Sequence, residues 1–500
     1  MKKILAILVW FTAFLLFAAC SDFLEEVNET NYTEENYFTQ PEHAEAVVNT
    51  VYANLRFITD GAGFYGESPF LMLEFPTGLA NTEVAQSQNN TTLRMLTANA
   101  DNNYTYVWWR DCYKGIANAN LAINRIPGIT MDETQKNRLI GEALFLRAFY
   151  YFHLVRIFGD VPLITEPLDA QSEQLYPERV SQELVYDLIV DDLIRAETSG
   201  LPGTDQTGRA SLGAVKTLLS AVYLTMAGFP LQKGEAYYQL AADKAKEVID
   251  NNWYSLFGDY ADLRDKANKN KGEFIFQNQY QQGIATSTVT ALLLPRYRRI
   301  SLFSEEFGAL FPTAAFVNSY DPDDKRVAEQ QYFFSHYASI SDPNNTVNFG
   351  GTYIFKHFDT EAATATIQND LNWTFFRYAE LLLIYAEAAN EVSASPSTAA
   401  YDAVNEIRDR ADVPLLSGLS KAQFREAVWR ERYHELCYEN KTWFDMVRTR
   451  KVFDPETNAF NDFTNHQFSY GPTLSDKYLL FPVPQREINN NTKLRQNDQW

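Results

Sequence analysis

Apolar residues recur at helical spacing over most of this chain, and the exceptions fall in two long blocks. The strongest stretch runs from Gly141 to Phe158, where Leu144, Ala148, Phe152 and Val155 share a face. Phe145, Phe149 and Leu154 widen that face until only a narrow side is left for water, which predicts a helix central to a helical array. Gly159 just past its last turn and Pro162 beyond it stop the helix. Upstream, Ala44, Val47, Val48, Val51 and Leu55 mark a first helix ending before Asp60-Gly61. Thr39 with Glu42 reads as its capping box and Pro41 lies in its first turn. A second helix starts near Tyr106 and carries Trp108, Tyr113, Ile116, Asn120 and Ile123, and Thr130 with Glu133 reads as the cap of the central helix.

The helical pattern continues past the Asp160-Val-Pro turn. Ser181 caps a helix to about Thr198, and Ser211 caps one bearing Val215, Leu218, Leu219, Val222 and Met226 that Gly228 and Pro230 close. Residues 235–250 form its partner through Tyr238, Ala241, Ala245 and Val248. Two antiparallel helices in roughly forty residues, with alanines where they meet, are tetratricopeptide-like. Helices return at 377–391, at 401–411 (stopped by Pro414), at 424–438 (capped by Ser420 and Gln423) and at 443–450. Glu380 and Glu387 sit within them and are expected to pair with Arg408 or Arg410 across a helix interface.

Residues 61–105 and 253–373 lack this period. The first block is rich in Asn, Thr, Gly and Gln, and a loop of such length is unusual unless it is functional, so it is the first candidate for a binding surface. Its Gly61-Ala-Gly63-Phe-Tyr-Gly66 matches a dinucleotide fingerprint in letters only. A helix precedes it, whereas phosphate binding needs a strand there, so no nucleotide site is assigned. The second block holds strand-like pieces at Glu273–Tyr280 and Thr352–His357. Its Asp321-Pro-Asp-Asp-Lys-Arg326 is not a calcium loop, because Lys325 occupies a ligand place, and an internal Asp324–Arg326 turn is expected instead.

Charge and side-chain chemistry narrow the function. Asp and Glu outnumber Lys and Arg by 64 to 43, a net charge of −21, which argues against nucleic acid or anionic lipid as a partner and fits a neutral ligand. Tyr (29) far exceeds Trp (8), so rings that also carry a hydroxyl dominate any contact surface. The six histidines show no metal-ligand spacing, and His153 and His434 lie in apolar helices as core residues. Cys112 and Cys437 read as small buried hydrophobes, with a bridge between them left open. No pair of carboxylates is placed in one cleft, and no nucleophile elbow is present. The reading is a binding protein without catalytic residue, metal or cofactor.

The N-terminus carries its own signal. Lys2-Lys3 followed by apolar Ile4–Phe17 and small Ala18-Ala19 makes residues 1–19 a signal peptide. Cys20 follows at once, and the string resembles a lipobox, in which the cysteine sulfur receives diacylglycerol. Residues 20–38 are then a polar tether. Membrane attachment is expected through the lipid anchor only.

Five stretches, in order, resemble the SusD/RagB family of surface lipoproteins. They are the Tyr106–Asn120 helix, the run from Gly141-Glu-Ala through Phe158-Gly-Asp-Val-Pro-Leu163, Asp321–Arg326, the helices of 377–450, and Tyr478-Leu-Leu-Phe-Pro-Val-Pro-Gln-Arg-Glu-Ile-Asn489. The resemblance implies a mainly α fold spanning 39–500. A tetratricopeptide-like helical-pair scaffold (about 39–60, 106–251 and 377–451) would carry an irregular, loop-rich ligand-binding subregion (about 61–105 and 253–373). It also implies an outer-membrane, cell-surface lipoprotein that binds oligosaccharide and delivers it to a SusC-like TonB-dependent transporter. RagB-type peptide binding, or a transporter lid without its own ligand, are the alternatives. Family members place ligand groups on the loops, which here contain Tyr65, Glu74, Asn81, Glu83, Arg94, Asn99, Asn102, Tyr104, Tyr280, Tyr297 and Arg298.

Overall fold

The computed structural model describes residues 37–60, 66–169, 172 and 175–500. The signal peptide, Cys20, nearly all of the tether and Tyr65 lie outside the described residues. Helices dominate: α1 Pro41–Asn54, α2 Gln88–Arg94, α3 Asn103–Arg125, α4 Glu133–Phe158, α5 Gln182–Glu197, α6 Leu212–Ala227 and α7 Glu235–Asp250. After a long irregular segment come α8 Tyr378–Glu391, α9 Thr398–Arg410, α10 Lys421–Glu435, α11 Thr442–Thr449 and the short α12 Gln485–Asn490.

The central helix α4 is buried along its length from Gly141 to Phe158, as its wide apolar stripe requires. Three caps differ from expectation, the first being Ser181, which stands at the start of α5 without a side-chain cap while the Gln182 amide donates to Asp160 at 2.9 Å. Gln40, not Thr39, precedes α1, because Pro41 occupies the first helical position and His43 closes the box. Asp132, not Thr130, caps α4: its carboxylate accepts the Gln135 amide at 2.9 Å and sets negative charge at the helix start. The capping box of Ser420 and Gln423 forms as read. Trp108 and Trp109 both belong to the core, the Trp108 indole donating to the Pro69 carbonyl at 2.9 Å. Cys112 and Cys437 are free and buried.

Neighbouring helices pack in sequence order, α3 on α4, α4 on α5, α5 on α6, α6 on α7, and then α7 directly on α8, which also carries α9 and α10. Residues 251–377 are therefore an insertion between two adjoining helices of one stack. Ten short strands form two-stranded antiparallel ladders among the described residues: β1 (Ala80–Asn81) with β5 (Phe311–Pro312), β2 (Val161–Pro162) with β3 (Arg179–Val180), β4 (Phe274–Asn278) with β8 (Trp373–Arg377), β6 (Phe333–Ala338) with β7 (Thr346–Ile354), and β9 (Lys451–Asp454) with β10 (Ala459–Asp462). The insertion enters on β4 and leaves on β8, and these two pair, so its neck is closed.

A buried lattice of charge holds the insertion to the stack. The Arg377 guanidinium reaches Glu273 at 2.7 Å, Glu435 at 2.6 Å and Glu439 at 2.8 Å. Arg410 contacts Glu273 and Glu435, both at 2.6 Å. Arg326 reaches Asp324 at 2.7 Å, Glu431 at 2.6 Å and Glu435 at 3.1 Å, which realises the expected Asp324–Arg326 turn. The Lys356 ammonium pairs with Glu439 and donates to the Glu435 carbonyl at 2.7 Å. Because Arg408 and Arg410 serve Glu431, Glu273 and Glu435, they are not the partners of the α8 acids. Glu380 instead takes Lys441 at 2.7 Å and Glu387 takes Arg448 at 2.5 Å.

Replacing Glu435 by Gln leaves three buried guanidiniums short of a counter-charge, so urea denaturation should register a loss of about 3–5 kcal/mol. Acid should act through the same groups. Burial alone would raise the Glu439 carboxyl, but Arg377 and Lys356 outweigh it and hold the group at about 2, against an ordinary 4.5. Glu435 is pushed below its usual range by Arg410, Arg377 and Arg326 against the same burial penalty. The stabilisation is complete above the unfolded value and fades as pH falls toward the folded values. Melting temperature should therefore hold down to about pH 5 and fall steeply below about pH 4. An unchanged melting temperature at about pH 3 would show that the lattice contributes nothing.

Candidate functional site

The two irregular blocks meet, and Glu83 joins them. Its backbone amide donates to the Gly308 carbonyl at 2.8 Å, beside the β1–β5 ladder in which Asn81 faces Phe311. One carboxylate oxygen accepts the Arg296 amide at 2.8 Å and the other accepts the Tyr353 hydroxyl at 2.9 Å. The Arg296 guanidinium returns to the Glu83 carbonyl at 2.6 Å. Gly308 has φ +57, and a Cβ there would lie 2.1 Å from the Glu83 carboxylate, so the close approach requires glycine. Glu83 is thus the bolt of the surface rather than a group free for a ligand.

That bolt supports a tight turn at 295–301. A second carboxylate holds its other side. Glu306, buried, accepts the amides of Arg299 (2.6 Å), Ile300 (2.8 Å) and Ser301 (2.9 Å), together with the Ser301 hydroxyl at 2.9 Å. Tyr297 and Arg299 adopt left-handed backbone, φ +56 and +57, an uncommon state for bulky residues that persists only where surroundings impose it. The outcome is a Tyr297 side chain 60% exposed at the crest of a fixed turn. The Arg296 guanidinium lies 4.9 Å from its ring, and exposed Arg298 donates to the Phe349 carbonyl at 2.9 Å. A ring presented this way offers an apolar face beside hydrogen-bonding groups.

The other predicted residues divide by burial. Glu74, Asn102, Tyr104 and Tyr280 are withdrawn from the candidate set, because they are buried and their polar atoms serve the fold. Glu74 accepts the amide and side chain of Asn440 at 2.7 and 2.9 Å, and burial lifts its carboxyl to about 7 despite those bonds. Asn102 caps α3 by accepting the Tyr104 amide at 3.0 Å, and this cap starts the helix at Asn103, earlier than its apolar spacing suggests. The Tyr104 hydroxyl donates to Asn90 at 2.5 Å, and the Tyr280 hydroxyl bonds Thr59. Asn99 is exposed, and its side chain accepts the Asp101 amide at 3.0 Å. Arg94 donates to the Ala80 carbonyl at 3.3 Å, which ties α2 to the β1 end of the same surface.

Sequence reasoning missed the support of Arg94. Its guanidinium lies 3.9 Å over the Tyr470 ring, which stacks on Phe468 at 5.4 Å and 2°. These rings stand on a turn bridged at Gln467 and Thr473, and alternation in Phe468-Ser-Tyr470 just before Gly471-Pro472 was the available signal. Glu306 carried no such signal, since a carboxylate that collects backbone amides leaves no side-chain pattern. Among the described residues no group of three His, Cys, Asp or Glu could hold a metal ion, and no helix is long and apolar enough to cross a membrane.

Comparison with known proteins identifies this architecture. The family model described as "SusD family" matches residues 254–500, and one described as "Starch-binding associating with outer membrane" matches residues 22–224. The crystal structure of a SusD superfamily protein from Parabacteroides distasonis ATCC 8503 aligns with TM-score 0.89 and 39% identity, over 94% of this chain and 100% of that one. SusD-like protein P2 of Formosa agariphila is 29% identical, over 97% of each chain. A structure named "Laminarin binding SusD-like protein" shares the fold, with TM-score 0.74 and 23% identity over 92% of this chain and 100% of that one. The match of the family model and the 39% identity to a SusD superfamily structure covered over its whole length place this chain in the SusD family.

Proposed function

We propose that this protein captures oligosaccharide at the cell surface and passes it, chemically unchanged, to a SusC-like TonB-dependent transporter in the outer membrane. The observation that carries the reading is Tyr297, an exposed ring on a turn that Glu83 and Glu306 hold still. Sugar rings expose apolar C–H faces that stack on such a side chain, and hydrogen-bonding groups for their hydroxyls stand beside it in Arg298 and elsewhere on the joined blocks in Arg94 and Asn81. The fold relative named for laminarin and the outer-membrane description of the matching family model support the same reading. Proteins that share the fold are named for glycan or carbohydrate binding rather than for catalysis.

Capture needs no high affinity. A dissociation constant on the order of 10⁻⁴ M, about −5.5 kcal/mol, suffices when a tether keeps the binder beside its transporter. Cys20 would supply that tether as an acylated N-terminus, with acyl chains contributing about 0.8 kcal/mol per buried CH₂.

Calorimetry against a panel of neutral glycans and peptides tests the ligand class. Tyr297→Ala should weaken glycan binding about tenfold or more, about 1.4 kcal/mol, without lowering the melting temperature. Heat with peptides alone, or undiminished glycan binding in the variant, would overturn the reading. Metabolic labelling with a palmitate analogue should mark the wild-type chain, and Cys20→Ser should lose both the label and surface retention.

A further inference from the structure

A concave site lies between the C-terminal end of α1, the first turns of α3 and the start of α12. It is a cleft of about 700 Å³, within the range of small-ligand sites. Four cations line it, Arg56, Arg110, Lys114 and Arg486, against the two carboxylates of Asp60 and Asp111. The local balance is positive on a chain whose net charge is −21.

The pairing within the cleft is unequal. Asp111 is committed to its neighbour Arg110, whose guanidinium it meets at 2.5 and 3.2 Å. Arg56, Lys114 and Arg486 form no ion pair among the described residues. Arg56 is half-buried and Lys114 and Arg486 are exposed, so the three line the cleft with their charge open to whatever enters it. Tyr106 concentrates the charge further: the guanidiniums of Arg486 and Arg110 both sit against its ring, 4.8 and 5.4 Å from the centroid. Asp60 stays charged at neutral pH, its carboxyl lifted only to about 6 by desolvation against the opposing pull of Arg56, so the cleft keeps two carboxylates against four cations.

We propose that this cleft binds acidic saccharides, seating a uronate carboxylate or a sulfate ester among Arg56, Lys114 and Arg486. Guanidinium forks match the planar oxygens of either group through paired hydrogen bonds, and the lysine adds a point charge. The acidic remainder of the surface repels extended polyanions, so a short anionic segment of an otherwise neutral chain fits best. The inference rests on the glycan-binding reading above but uses none of its residues.

Isothermal titration of the purified protein with trigalacturonate, a sulfated galactan trisaccharide, neutral galactotriose and hexaglutamate tests it. One of the acidic sugars should bind at least tenfold tighter than galactotriose at ~50 mM salt, with the advantage largely lost at ~500 mM. Which one does so separates carboxylate from sulfate recognition. The double variant Lys114→Ala/Arg486→Ala should lose the advantage while its circular dichroism and its binding of neutral glycan stay unchanged. Acidic sugars binding no tighter than the neutral one, or equally well in the double variant, would overturn the proposal. Hexaglutamate binding as tightly would assign the cleft to an acidic protein segment instead. Neutral binding that depends on Tyr297 while acidic sugars gain nothing refutes this inference alone, whereas silence with every sugar refutes the glycan reading as well.

Discussion

The buried charge lattice is the constraint on which the remaining architecture depends. Five cations (Arg326, Lys356, Arg377, Arg408 and Arg410) face five carboxylates (Glu273, Asp324, Glu431, Glu435 and Glu439), so the cluster as a whole is neutral. Taking such charges out of water costs several kcal/mol per ion, and the cost is offset only where each group keeps its partners. Hydrophobic contact between the insertion and the stack would tolerate sliding. This lattice does not: Glu435 on α10 meets guanidiniums from the insertion, its exit strand and α9, and a small shift would strand all of them. The charges therefore select one register for a segment whose own backbone has little regular structure.

From that anchor the rest can be followed outward. Direct packing of α7 on α8 means the stack needs nothing from residues 251–377 to be continuous. The paired β4 and β8 then close the neck of the insertion, with the Glu273–Arg377 ion pair at its base. At the far end, Glu83 and Glu306 repeat the device on a smaller scale, each using a carboxylate to gather donors from separate pieces of chain. Order is thus conveyed from helix to neck to turn by acids used as fasteners. A chain rich in Asp and Glu spends many of them internally, but the lattice consumes equal numbers of cations, so the excess of acid remains outside it.

The scaffold was readable because its signals are local. The 3.6-residue period of α4, the capping box at Ser420 and Gln423, and the Asp324–Arg326 turn each involve residues a few positions apart. The candidate site was only partly readable because its determinants are distant in sequence. Nothing near Tyr104 or Tyr280 distinguishes a buried phenol bonded to Asn90 or Thr59 from one facing a ligand. The same holds for Glu83, whose partners Arg296 and Tyr353 lie more than two hundred residues away. Loop composition singled out the two irregular blocks, which the structure joins at Glu83. The burial that sorts its members depends on the fold, as does the Arg94–Tyr470 stack contributed by a turn near the C-terminus.

Rigidity at Tyr297 has a consequence for how such a surface works. A ring on a floppy loop would lose conformational freedom each time it closed on a sugar, at roughly 0.5–1.5 kcal/mol per side chain ordered. Here the left-handed backbone beneath the ring is set before any ligand arrives, so the loop's share of the ordering belongs to folding and only the exposed side chain's own rotamer freedom is left to lose. If Tyr297 receives a sugar as proposed, a few contacts on a preset ring give binding that is weak but reached without rearrangement. Release is equally direct, because nothing has to unfold or reopen. On the proposed reading this suits a protein that must surrender what it catches. Tighter capture would slow the hand-off, and high local concentration at the transporter mouth makes it unnecessary.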